Sequence, residues 1–235
     1  MFISIVGPNG FVGNKLVNYF KKKRIKVLKI DRKFKFEKVP NNIKIVIHTA
    51  NSSQKFEADK NPNSDFISSI KLTKKIAKVF KSKKIILIST ISTRTEKNVY
   101  AINRKKCEKI ILKLSKKNII FRLPILFNTK LKRGILYDLV KDKKLYIKKD
   151  TLINPVSLDE ICDYIFKNLN SKKQIHEIAS SEKISIYNLS KQLNSKSKFG
   201  KRKVDLLAQP SKYNRIKLSK ILNELKSYKA NKINR

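Results

Sequence analysis

Phe2-Ile3-Ser4-Ile5-Val6-Gly7-Pro8-Asn9-Gly10-Phe11-Val12-Gly13 is a short apolar strand that runs straight into three glycines. The chain of 235 residues holds only five glycines, so three of them at a spacing of three mark a place where backbone geometry sets the residue type. Gly7 allows a sharp exit from the strand, Gly10 lets a diphosphate approach the backbone, and Gly13 lets the following helix lie close on the sheet. Asn9, Phe11 and Val12 fill out the turn and the helix start, whose unbonded N–H groups would face the anion. The competing reading is a tight strand-to-helix turn that binds nothing. A strand before and a periodic helix after are the context that a phosphate-binding turn requires, and both are present.

Downstream, Phe11, Val12, Leu16, Val17 and Phe20 recur at helical spacing, and Lys21 to Arg24 place cations at the helix's negative end. A second strand, Ile25 to Ile30, ends in Asp31, eighteen residues beyond Gly13. A Rossmann unit places a ribose-binding carboxylate at about this distance, which favours NAD over NADP, although Arg32 and Lys33 could receive a 2′-phosphate. The bland reading of Asp31 is a strand-end turn residue. Too few residues separate Asp31 from the next apolar strand, Ile43 to His48, for both a helix and another strand, so the first nucleotide-binding half is abbreviated. His48-Thr49-Ala50 closes that strand, with His48 read as structural and Ala50 counted among the cofactor-binding residues. A polar loop follows, then a helix from Pro62 to Phe80 with Phe66, Ile70, Ile76 and Val79 inward.

Lys84 to Thr90 is a buried strand that delivers Ser89 and Thr90 to the same sheet edge as the glycines. Ten residues later Tyr100 opens a helix, and Arg104 lies one turn on, on the same face. A hydroxyl, a phenol and a fixed cation are the parts needed for proton transfer at an alcohol or ketone beside a nicotinamide. The cation is expected to lower the Tyr100 pKa, while Thr90 orients the substrate oxygen. Asn118 to Leu123 is a further strand that Pro124 ends; Leu131 to Val140 and Leu158 to Leu169 read as helices, the second capped near Ser157. Lys196 to Lys203 reads as an exposed loop, Ile216 to Leu225 as a last short helix, and the final ten residues as loose.

Composition bounds the function. Lys and Arg number 57 against 17 Asp and Glu, a net charge of +40 that would attract any polyanion. The lysines punctuate almost every element instead of clustering with Arg and aromatics, so compositional drift and a selected nucleic-acid surface both stay open. Lys or Arg interrupts every hydrophobic run, so no membrane insertion is expected. The first apolar run lacks a basic leader, and the expected compartment is the cytoplasm. Two cysteines and two histidines, far apart, support neither a disulfide framework nor a metal site.

Seven segments, in order, resemble the extended short-chain dehydrogenase/reductase superfamily, the NAD-dependent epimerase/dehydratase family. They are Gly7-x-x-Gly10-Phe-x-Gly13, Asp31, Ile47-His-Thr-Ala50, Ile88-Ser-Thr90, Tyr100-x-x-x-Arg104-x-x-x-Glu108, Phe121-Arg-Leu-Pro124 and Val156-Ser-Leu-Asp-Glu160. The resemblance implies an α/β protein, a Rossmann-type doubly wound parallel sheet in residues 1–150, with a small C-terminal substrate lobe in 151–235 interleaved with it. It implies NAD, with NADP the alternative, a catalytic set of Thr90, Tyr100 and Arg104, and Pro124 beside the nicotinamide amide. A sugar substrate, nucleotide-linked, follows from the same likeness, and so does a homodimer through the helices Asn63 to Phe80 and Tyr100 to Leu114.

Two departures stand out. Arg104 occupies the place of the superfamily's usual Lys, a trait similar to a bacterial surface-polysaccharide subgroup that carries Tyr-x-x-Asn-Arg and a following Arg-Leu-Pro. Arg stays charged and cannot pass a proton on as Lys can. The arginine that often grips a sugar nucleotide's diphosphate aligns with Ile153, leaving Lys132, Arg133 or Lys148 to substitute. Two functions therefore stand: an NAD(P)-dependent oxidoreductase or epimerase/dehydratase, or a dinucleotide-binding module, a sensor or scaffold, that has lost turnover.

Overall fold

The apolar runs pair into one sheet. In the computed structural model, which describes residues 1–211 and 216–233, six strands lie in the order β2-β1-β3-β4-β5-β9. They are β1 (Phe2–Val6), β2 (Lys26–Ile30), β3 (Ile45–His48), β4 (Lys84–Thr90), β5 (Ile119–Leu123) and β9 (Ile175–Glu177). β2, β1, β3 and β4 are parallel, with Val6 level with His48 and His48 level with Leu87. Their carboxyl ends, where the glycine turn, Ala50 and Thr90 sit, thus share one edge.

Both faces of the sheet are covered. Val6, Val46, Ile85, Leu87 and Ile120 form one core with Ile70, Ile76, Phe80, Cys107 and Ile111 of the following helices. The alternate positions Ile3, Ile5, Ile47, Ile86 and Phe121 are also buried, as are Leu16, Val17 and Phe20 of helix α1 (Phe11–Lys22). Burial at both parities of a strand is the mark of a doubly wound parallel sheet, so the expected fold class holds. The abbreviated first half is real: only a single 3₁₀ turn, Phe36–Lys38, lies between β2 and β3.

The stretch from Pro62 to Val79 is helical throughout but changes pitch: α3 (Pro62–Phe66), a π-helical segment Ile67–Lys71, and α4 (Leu72–Val79). It is preceded by a short helix, α2 (Lys55–Lys60), in the stretch read as loop. Val79, expected to face inward, is exposed, because the buried face runs through Thr73, Ile76, Ala77 and Phe80 and Val79 lies off it. After β4 come α5 (Ser92–Thr95) and α6 (Val99–Leu114).

The chain divides into two compact units: Met1–Arg122 with Tyr164–His176, and Leu123–Asp163 with Glu177–Arg235. The division falls before residue 150 because Leu136, Leu139, Val140, Leu145 and Ile147 pack with Ile153, Ile184, Ile186 and Ile221 in the second unit's own core. That unit contains β6 (Leu126–Phe127), α7 (Ile135–Val140), β7 (Leu152–Ile153), β8 (Val156–Ser157), β10 (Ile184–Ser185), α9 (Ile186–Gln192) and α10 (Leu218–Ile233). Helix α8 (Leu158–Lys167) carries the chain back to the first unit; at its start Ser157 Oγ accepts from Glu160 N–H at 3.3 Å and donates to the Glu160 carboxylate at 3.4 Å.

Two helix readings change. The helix expected from Leu131 starts only at Ile135, since Gly134 at its N-cap holds φ at +97°. The last helix does not stop at Leu225; it runs on to Ile233, anchored by Lys229, whose ammonium bonds Asp142 at 2.7 Å. The final two residues of the segment read as loose lie outside the described residues.

Candidate active site

The three glycines turn out to have three different reasons. At Gly7, φ is +85° and an added Cβ would stand 2.8 Å from Ala50, so both the backbone and the neighbour exclude a side chain. At Gly13 a Cβ would lie 2.6 Å from Thr49 Oγ1 and closer still to the Gly7 carbonyl oxygen, which is the close helix-to-sheet packing expected. Gly10 differs from both. Its φ of −72° suits any residue, and the nearest protein atom to an added Cβ is Gly7 O at 3.5 Å, an ordinary contact. Nothing in the fold demands glycine there.

Around that turn the backbone is tightly set. Gly7 N–H donates to Ile30 O at 3.0 Å and Gly10 N–H to Gly7 O at 3.2 Å. Thr49 Oγ1 donates toward Val6 O at 2.8 Å and Gly7 O at 3.0 Å, tying the end of β3 to the turn. Helix α1 starts at Phe11 with no side-chain cap and no acidic residue in its first turn, so its positive end and the N–H groups of Phe11 and Val12 carry no competing anion. Asn9 is exposed within the turn. The residues present therefore fit the diphosphate of a dinucleotide.

Asp31 is exposed just past β2, and its carboxylate accepts from Lys33 N–H at 3.0 Å. The sequence placed it at the ribose position; the structure shows it also organising its own turn, with Arg32 exposed beside it. Ala50 is half-buried against Gly7. His48 is wholly buried: its Nδ1 accepts from Ala50 N–H at 3.3 Å, so Nε2–H donates to Thr73 Oγ1 at 3.0 Å. Burial, and then the Arg104 charge, hold its pKa down at about 3, so the ring is a neutral strut.

The structure brings Thr90, Tyr100 and Arg104 together. Tyr100 is buried in the first turn of α6, which Asn98 caps by accepting from Ala101 N–H at 2.9 Å. The Arg104 guanidinium carbon stacks 4.6 Å from the Tyr100 ring centre. Lys55 Nζ, from α2, lies 5.8 Å from that centre and is ion-paired to Glu96, whose carboxylate also accepts from Ser92 at 2.9 Å and Asn98 at 2.7 Å. Burial disfavours ionisation of Glu96, but Lys55 and these donors outweigh it and keep its pKa low.

One expectation is overturned here. Tyr100 is not lowered toward neutral pH: burial raises its pKa, and the Arg104 charge and the polar contacts of Arg104 and Thr90 only partly oppose that. Burial is the first cause, and Asp65 adds a smaller one. Its carboxylate sits 3.0 Å from Arg104 Nη2, with both side chains almost wholly buried, and it raises the phenol's pKa in its own right.

Helix α6 is held in place by Glu108. Its carboxylate accepts from Ser89 Oγ at 2.6 Å on β4 and from both Nε and Nη2 of Arg122, at 3.0 and 2.7 Å, on β5. Pro124 directly follows β5, half-buried, in the second unit. Ile153 is fully buried in that unit's core, and Lys132, Arg133 and Lys148 are exposed. Among the described residues no cluster of His, Cys, Asp and Glu could hold a metal ion, and no helix is long and apolar enough to cross a membrane.

Sequence reading missed Asp65, Lys55, Glu96, Thr49 and Asn51. For Asp65 a signal was present: Asp65, Ser69, Thr73, Ile76 and Phe80 follow the inward spacing of one helix face, where an acid needs a partner. Asn51 is detectable only in three dimensions, as a side chain whose Oδ1 and Nδ2 are buried without hydrogen-bond partners.

A parallel doubly wound sheet, with a glycine turn after its first strand and a helix-borne tyrosine beside a strand ending in Ser-Thr, is a fold found in solved structures of known enzymes. Solved structures sharing it include dTDP-4-dehydrorhamnose reductase from Bacillus anthracis in complex with NADP, at 15% identity and TM-score 0.79 over 98% of this chain and 99% of that one. A UDP-N-acetylglucosamine 4-epimerase from Methanobrevibacter ruminantium in complex with UDP-N-acetylmuramic acid matches at 13% identity and TM-score 0.81, over 99% and 98%. A Thermus thermophilus UDP-glucose 4-epimerase complex with NAD matches at 13% and 0.72, over 90% of each chain. No protein-family model and no curated protein sequence matches the chain.

Proposed function

We propose that this protein is an NAD(P)-dependent oxidoreductase or epimerase of the extended short-chain type, acting on a nucleotide-linked sugar in the cytoplasm within a polysaccharide pathway. The observation that carries the reading is Gly10: a glycine with an unremarkable φ and open space before it, at the head of an uncapped helix, on the edge where Thr90 and Tyr100 stand. Gly7, Asn9, Gly10, Phe11, Val12 and Gly13 would hold the diphosphate, Asp31 or Arg32 the adenosine ribose end, and Ala50 the part beside the turn. When bound, the dinucleotide supplies hydride transfer at a carbinol or carbonyl carbon. Tyr100 exchanges the proton with the substrate oxygen, Thr90 orients that oxygen, and Arg104 stabilises the charge on Tyr100. The named relatives of this fold act on dTDP- and UDP-linked sugars, which supports a nucleotide sugar here.

The second unit takes the role of substrate lobe in this reading. A homodimer is part of it too: Ile67, Val79, Ile102 and Leu114 are exposed apolar side chains on the two helices that the resemblance pairs. The +40 charge adds nonspecific attraction to polyanions. The test is calorimetric titration of NAD(H) and NADP(H), followed by turnover of dTDP- and UDP-linked hexoses and 4-keto-hexoses. Binding of neither dinucleotide at millimolar concentration refutes the reading; binding without turnover of any such sugar reduces the protein to a dinucleotide-binding module.

A further inference from the structure

Asp65 is one of 17 acidic residues in the whole chain, and it is spent inside the protein. Standing in α3 just before the π turn, it divides its carboxylate between two neighbours in α6: Oδ1 accepts from Arg104 Nη2 at 3.0 Å and Oδ2 from Asn103 Nδ2 at 2.9 Å. The same Nη2 donates to Ser52 O at 2.7 Å, fixing the guanidinium from one end. The other end, Nε and Nη1, is buried without a hydrogen-bond partner and belongs to the group stacked on Tyr100. An arginine cannot discharge itself by losing a proton, so a buried one needs a counterion. Asp65 is that counterion.

We propose that Asp65 is the positioning residue of the Tyr100 site: it holds Arg104 flat against the phenol and offsets that cation's charge there. The catalytic meaning rests on the function proposed above; the electrostatic claim does not. Charged and titratable groups face Tyr100 from every side. Arg104 lies on its own helix, Asp65 comes from α3, and Lys55 from α2 is neutralised by Glu96. The Thr90 hydroxyl comes from β4, and His48 of β3, near Arg104, stays neutral. Of the two ion pairs beside the ring, Asp65–Arg104 is almost wholly buried, whereas Lys55 is partly exposed.

The experiment reads tyrosinate absorbance in the ultraviolet as pH is raised. The chain has eight tyrosines, so each background is compared with its own Tyr100→Phe partner to isolate Tyr100. Asp65→Asn is isosteric and leaves the Arg104 charge uncompensated; the Tyr100 titration is expected to fall by about one pH unit or more. An unshifted titration in folded Asp65→Asn protein overturns the proposal. Should that variant fail to fold, Asp65→Asn/Arg104→Met removes both charges together. Its Tyr100 is expected within about one unit of the wild type, and a larger displacement overturns the offset. Calorimetric dinucleotide binding, measured on the same samples, separates the two claims: lost binding in the wild type sinks the proposed function and leaves the titration to judge Asp65.

Discussion

Replacing Gly10 and Gly13 by alanine, one at a time, separates a glycine kept for a ligand from one kept for the fold. At Gly10 the new methyl meets only Gly7 O, at 3.5 Å, and φ of −72° is allowed to alanine. Two small effects then compete. Alanine reduces the unfolded chain's freedom, which stabilises by about 0.4–1 kcal/mol, and it is a poorer N-cap than glycine by a comparable amount. The net change should be within about 0.5 kcal/mol of zero. At Gly13 the methyl is driven to 2.6 Å from Thr49 Oγ1 and into the Gly7 carbonyl, with no flexible group to yield. That overpacking should cost about 1–3 kcal/mol. Dinucleotide affinity should rank the other way for Gly10→Ala, falling at least tenfold at nearly constant stability, since the methyl occupies the diphosphate's approach. Urea unfolding gives the stabilities and calorimetry the affinities. A Gly10→Ala protein that binds NAD(H) or NADP(H) like the wild type would refute the assignment of the turn; one that unfolds would refute the reading of its open side.

Further outcomes are expected. Tyr100→Phe should lower kcat by roughly 10²- to 10⁴-fold with dinucleotide affinity little changed, read from steady-state kinetics and calorimetry. His48 is neutral in the folded chain down to about pH 3, whereas an unfolded chain protonates it near 6.5; its contribution is complete above pH 6.5 and is lost as pH falls from there. The slope is about 1.4 kcal/mol per pH unit, and His48→Gln should remove it from a series of urea titrations between those limits. If the exposed apolar helix pair is an interface, Ile102→Glu should convert a sedimenting dimer to monomer; a wild type that is already monomeric sinks that part of the proposal. Retention on a polyanion column should disappear at moderate salt, with no sequence preference among nucleic acids.

Much of this was legible in the residues themselves. Near-continuous apolar runs give away β1 and β4, which are buried on both faces, helical apolar spacing gives away α1 and α6, and the Tyr100–Arg104 spacing follows from helix geometry. What escaped has a common cause: it depends on partners distant in sequence. Asp65 finds Arg104 across 39 positions and Lys55 finds Glu96 across 41. A local reading assigns Arg104 a free positive charge and Tyr100 an open setting; only the fold reveals the burial that reverses the Tyr100 shift and the counterion that adds to it. Helix facing was equally hidden, because Thr73, Ile76, Ala77 and Phe80 take the buried side and leave Val79 off it.

Glu108 has a consequence for how such a protein can vary. Its single carboxylate grips a serine on one strand and an arginine on the next, so the helix carrying Tyr100 cannot slip by even one residue without abandoning both grips at once. The Tyr100 hydroxyl is thus mounted on a bolted beam, and the short stretch between Thr90 and Asn98 that bridges strand and beam is tied down in turn, because Glu96 holds Lys55, Ser92 and Asn98 together.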